Sequence, residues 1–197
     1  MTTVQPPAAG VIVEVFFLRL RADGSLAYRV EQRPWSPGGT PDQAALDLAG
    51  LVPGGTAAGT VSHSTSWRFV TPDQVILTYA VLPDPEPARA ATPLIEAGVV
   101  CSGDALLPAP PQLHDHHVAA HAVRHLAYLV EHDPAVGAAA SAQPDLWAVV
   151  TAYGVRTPVG THGEVHAMAN GHGSARNPEM PFDGIPTWPA PHASQPA

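Results

Sequence analysis

The chain has 197 residues, 45% of them apolar, which is ample for one domain with a core and thin for two. Its formal charge is −8 with neutral histidines, so a phosphate backbone is a disfavoured partner and nucleic-acid binding is not expected. All nine basic residues are arginines, which excludes a lysine Schiff base and a Walker-type phosphate loop.

The opening "MTTVQPPAAG" places no basic residue before the first apolar run, and that run is broken by Glu14 and Arg19. Neither a signal peptide nor a membrane span is expected. A single cysteine, Cys101, cannot form an internal disulfide, and a cytoplasmic setting is the plain expectation.

Residues 11–20, "VIVEVFFLRL", are rich in β-branched and aromatic side chains and read as a strand buried on most of both faces. Asp23-Gly24 is a hairpin signal, and "LAYRVEQR" reads as the returning, half-exposed strand. After the loop "PWSPGGTP" a short helix is expected over about 42–49, with Thr40 as cap, Pro41 in the first turn and Gly50 or Pro53 as stop. "GTVSHSTSWRFV" and "QVILTYAVLP" read as a second strand pair, followed by a polar, proline-rich surface connection. A short strand is expected at 98–101.

Residues 113–134, "LHDHHVAAHAVRHLAYLVEHDP", form a strongly amphipathic helical pattern. Val118, Ala119, Ala122, Val123, Leu126, Ala127, Leu129 and Val130 share one side. His114, His117, His121, His125 and His132 share the other, with Arg124, Tyr128 and Glu131. Asp115 is expected to cap the start and Pro134 to stop the helix. A further helix, or a broken pair, is expected up to Gly154 as terminator, with Pro144 at a first-turn position. Beyond about Thr157 the segment is rich in Pro, Gly, Asn and His and reads as an extended or disordered tail. The expected organisation is therefore a flexible N-terminus at 1–9, one domain at 10–156 and a tail at 157–197. The expected class is α/β (α+β), a mixed sheet packed against helices.

Two strands, then "RPWSPGGTPDQAALDLAGL", then two more strands and a packed helix resemble the Nudix hydrolase fold over about residues 10 to 130. The echo is Trp35-Ser36-Pro37-Gly38-Gly39, followed by a helix with Ala44-Ala45 and a Gly50-Leu51 end. The resemblance implies a magnesium-bearing helix that acts on diphosphates. At the place of the family's Arg-Glu and Glu-Glu pairs this chain reads Leu46-Asp47-Leu48-Ala49-Gly50, with Asp47 the only acid. Magnesium at a diphosphate needs several hard oxygen ligands, so the family's hydrolysis is not expected.

The histidine row is permissive for a divalent transition metal, since His117, His121 and His125 recur every fourth residue. Zinc wants three or four ligands and a straight helix presents two well, so His63, His162 or His166 would have to contribute. The plainer alternative is a solvated polar face opposite the core stripe. "SHSTSWRF" would put His63, Thr65 and Trp67 on one side of a strand and Ser64, Ser66 and Arg68 on the other. His63-x-Thr65-x-Trp67 also resembles one half of a 2H phosphoesterase motif, whose second half, at His172 or His192, lacks the apolar follower. The bland reading of this strand is a core Trp and a rim Arg. Cys101 is more simply a buried small hydrophobe than a nucleophile. The acids Asp42, Asp47, Asp73, Asp84 and Glu86 read as solvated surface.

A domain that binds a small molecule or a protein partner without hydrolysing diphosphates is thus expected, through Trp35, His63, Trp67, Arg68 and Tyr79. Alternatives are an enzyme using a metal on His117, His121 and His125, or a hydrolase of a nucleoside-diphosphate-type substrate. Oligomerisation through the long helix is a further option.

Overall fold

A computed structural model describes residues 10–53, 59–71, 74–98, 100, 110 and 112–156. Strand β1 (Gly10–Leu20) turns at Gly24, whose φ of 79° suits a tight hairpin, into antiparallel β2 (Leu26–Pro34). Helix α1 (Pro41–Ala49) follows. The Thr40 hydroxyl accepts from the Gln43 amide at 3.1 Å, and Gly50, at φ 63°, closes the other end in the left-handed conformation. Strands β3 (Val61–Thr71) and β4 (Gln74–Leu82) form a second antiparallel pair. Strand β4 then runs parallel to β1, so the sheet is mixed, in the order β3-β4-β1-β2-β5. Edge strand β5 is only Thr92–Pro93, inside the segment expected as a plain surface connection. Gly98 and Val100 are not in a strand, and Val99 and Cys101 lie outside the described residues.

Helices cover both sheet faces, an α+β architecture with a mixed sheet. On one face α1 packs Ala44, Ala45 and Ala49 against Val13, Val15, Phe17, Tyr79 and Val81. The other face carries Phe16, Leu18, Tyr28, Ala80 and Leu82 and is covered by α2 (Asp115–His132), α3 (Pro134–Ala142) and α4 (Pro144–Arg156). The expected stripe of α2 is the buried one, with Val118, Ala119, Ala122, Val123 and Leu126 all in the core. No helix among the described residues is long and apolar enough to cross a membrane.

Three expectations about helix ends are corrected. His114, not Asp115, occupies the α2 N-cap, and its backbone N–H donates to His117 Nδ1 at 3.2 Å. Pro134 opens α3 rather than merely stopping α2; Asp133 ends one helix and caps the next, its carboxylate accepting from Ala135 and Val136. Gly154 lies inside α4. A Cβ there would sit 2.7 Å from the Ala127 Cβ, so the glycine permits close approach of α2 and α4 instead of terminating a helix. The expected segments 1–9 and 157–197 lie outside the described residues.

Leu126 is fully buried where α2 meets the sheet and its sister helices. Leu126→Ala is expected to lower unfolding free energy by about 2–5 kcal/mol in a urea titration.

Candidate functional site

The sheet face beneath α2 is not wholly apolar. Gln32 on β2, Glu14 on β1, Thr78 on β4 and Ser66 on β3 are in register and form a polar row across four strands. Glu14 is completely buried. A carboxylate there must be paired, and it is. Arg68 donates from both terminal nitrogens, Nη1 to Oε1 and Nη2 to Oε2, each at 2.8 Å. The Thr78 hydroxyl donates to Oε1 at 3.0 Å and Gln32 Nε2 to Oε2 at 2.5 Å. Arg68 reaches Glu14 over the intervening strand β4, and its Nη1 also meets the Thr78 hydroxyl at 3.0 Å. In the sequence Glu14 reads only as an interruption of an apolar run. The missed signal was the interruption itself, since an acid at the centre of a buried strand demands a cation elsewhere.

A bulge decides which side chains join this face. The β3–β4 register shifts between Ser64 and Ser66. Thr65 is the extra residue, and it inverts the alternation expected for "SHSTSWRF". His63 pairs with Ala80, Ser66 with Thr78 and Arg68 with Ile76, so these three share the α2 side. Trp67 pairs with Leu77 and points to the other side. It is 59% exposed, edge-on to Phe69 at 5.5 Å, and Arg68 is the half-buried member of the pair. The expected core Trp and rim Arg are therefore reversed.

The histidine row does not simply face water. His117 and His125 are half-buried, because the row lies along β3. His121 Nε2 sits 3.4 Å from the Thr65 carbonyl, and the His125 ring is 5.3 Å from that of His63 and 6.4 Å from that of His121. Burial lowers the His125 pKa, with His63 and His121 adding repulsion. His117 is lowered in the same way by burial and by His116 and His114. His125 Nε2 is enclosed without a hydrogen-bond partner. Among the described residues no group of three or more His, Cys, Asp or Glu is placed to hold a metal ion. His162, His166, His172 and His192 lie outside them.

These elements bound a cleft of about 220 Å³ between β3 and the N-terminal half of α2. Ser66, Trp67 and Arg68 form one wall, and His117, His121 and Arg124 project from the helix. Gly98, Val100, Pro110 and Leu113 close the remaining side. Of the expected ligand residues, Arg68 joins it, Trp67 borders it from a strand position whose side chain points to the other face, and His63 lies beyond, against His125. Trp35 and Tyr79 do not join it. Tyr79 is buried on the α1 side, donating to Asp42 at 2.6 Å, and burial followed by that carboxylate pushes its pKa far up. Trp35 lines a separate cleft of about 460 Å³ with Arg33, Thr40, Gln43 and Asp47.

That second cleft is where the Nudix resemblance would place magnesium. Its residues do not fit. Asp47 is held by Gln43 Nε2 at 2.8 Å and Arg33 Nη2 at 3.2 Å, which lower its pKa, and Asp42 is committed to Tyr79. No second free acid stands on α1. Asp84 also departs from the solvated surface expected of it: it is buried and pairs with Arg29, beside Arg19, Glu31, Glu86 and Arg89. Compared with known proteins, the chain matches no family model, no curated protein and no solved structure.

Two expected outcomes follow from this geometry. Arg68→Met should cost about 3–5 kcal/mol, because Glu14 is left buried and unpaired, and Glu14→Leu with Arg68→Met should recover most of the loss in urea unfolding. His125 has a folded-state pKa below its unfolded value of 6.5. Its neutral form therefore contributes stability that is fully present above about pH 6.5 and lost as pH falls through the lower folded value. The urea midpoint should drop more steeply below pH 6.5 in the wild type than in His125→Gln.

Proposed function

We propose that this chain is a Nudix-like domain that binds a small molecule without hydrolysing diphosphates, and that the cleft between β3 and α2 is its binding site. The observation that carries this reading is the convergence of Arg68, His117, His121 and Arg124 from two elements on one half-enclosed space with apolar walls. Small-molecule sites have this composition, a few placed polar groups in an otherwise apolar concavity. The larger cleft beside Trp35 is the weaker candidate, since its arginine and its acid already satisfy each other at the surface.

The resemblance to the Nudix fold supports the layout and not the reaction. Helix α1 carries two acids, Asp42 accepting from Tyr79 and Asp47 paired to Arg33, so an acid cluster for magnesium is not formed on it. The setting that fits this reading is the cytoplasm, with neither nucleic acid nor membrane as partner. A second reading, docking of a protein partner, is favoured by one observation. Trp67, Phe69 and Val70 are all more than half exposed on β3, an edge strand with open backbone groups.

A thermal-shift screen of small fragments tests the site. Fragments that raise the wild-type Tm should lose their effect in His121→Trp, which fills the cleft from an exposed helix position. Hits unaffected by that substitution would place binding elsewhere. Nucleoside diphosphates with magnesium should show no turnover above the buffer rate; appreciable hydrolysis would overturn the non-hydrolytic reading.

A further inference from the structure

Arg124 stands apart among the arginines whose side chains the structure describes. An arginine stays protonated at any physiological pH, so its charge needs an answer from the surroundings. Arg19, Arg21, Arg29, Arg33, Arg68 and Arg89 each have a carboxylate at ion-pair distance. Among the described residues Arg124 has none. Its Nη2 donates to the Ala97 carbonyl, and its guanidinium carbon lies 5.8 Å from the centre of the Tyr153 ring. These contacts fix the group in place without neutralising it. Its Nε is enclosed and has no acceptor.

Arg124 also lines the cleft between β3 and α2. Among the described residues the other lining guanidinium, that of Arg68, is answered. Arg68 is matched by Glu14 through two 2.8 Å bonds, so the pair adds no net charge. Of the lining imidazoles, His117 is held towards its neutral form by burial and by His116 and His114. Among the described residues Arg124 is thus the lining guanidinium without a carboxylate partner. The rest of the wall includes Val100, Pro110, Leu113 and Val118. The volume, about 220 Å³, is below the range of about 300–1,000 Å³ usual for drug-sized ligands.

Resting on the binding site proposed above, we infer that the ligand is a small organic monoanion, a monocarboxylate with a compact apolar body, whose carboxylate is received by Arg124. A planar guanidinium matches a carboxylate in shape and charge. A dianion such as inorganic phosphate would bring one charge more than the cleft answers. A neutral molecule would leave Arg124 unpaired and dehydrated, an arrangement of greater cost.

Matched acid and amide pairs test this on the full chain. Benzoate and benzamide, and isovalerate and isovaleramide, are titrated by calorimetry at pH 7.5 and low salt, with inorganic phosphate as competitor. At least one acid should bind about tenfold or more tightly than its amide. Millimolar phosphate should not displace it. Arg124→Gln should bring acid and amide to parity, and Arg124→Lys should keep part of the preference. The acid–amide comparison in the wild type stands even if Arg124→Gln folds poorly. Equal binding of acid and amide would overturn the anion inference while leaving the cleft as the site. Displacement by phosphate would also overturn it in favour of a general anion site. Binding of neither pair, with fragment hits still lost in His121→Trp, would overturn the inference alone; binding of neither without such hits would overturn both.

Discussion

A carboxylate sealed at the centre of a sheet sets the terms for everything above it. Glu14 has no access to water, so the strands around it must supply donors, and four arrive: two from Arg68, one from Thr78 and one from Gln32. Arg68 comes from the outermost strand on that side and lies across β4 to reach its partner. Its guanidinium is thereby pinned and its charge cancelled. What it presents to the cleft is a pinned, neutralised wall. Breaking such a pair costs far more than the pair itself contributes, because one charge is stranded.

Helix α2 faces two environments at once. Its apolar stripe meets the sheet and the helices α3 and α4, and Gly154 lets α4 approach within reach of Ala127. In the adjacent histidine row His117 and His125 are half-buried, His125 beside His63 of β3, while His114, His121 and His132 are exposed. Partial burial and crowding hold His117 and His125 towards the neutral form, and of the two His117 lines the cleft. Placing the helix this way needs the Thr65 bulge. Without that extra residue, Arg68 and His63 would fall on opposite faces.

Much of the fold was legible in the residues. The hairpin at Asp23-Gly24, the caps Thr40 and Gly50, and the buried stripe of α2 follow from local rules, since each depends on neighbours within one or two turns of chain. The features that escaped reading are non-local. A bulge leaves no mark in "SHSTSWRF", and strict alternation put Trp67 in the core and Arg68 at the rim, the reverse of their positions. Gly154 resembles a terminator until the partner helix is known. Arg124 reads in the sequence as one more charge on the polar face of α2, because its lack of a carboxylate partner among the described residues depends on tertiary packing. Glu14 alone was recoverable, as an acid where every flanking residue is apolar.

The most direct test of the β3–α2 cleft is a map of where small ligands land. Backbone amide shifts in a 15N-labelled full chain, followed while a fragment that raises the Tm is titrated in, locate the site without assuming the ligand's chemistry. Saturable shifts are predicted at Ser66, Arg68, His117, His121 and Arg124. Shifts concentrated instead at Trp35, Gly39, Gln43 and Asp47 would contradict that placement and move the site to the opposite face of the sheet.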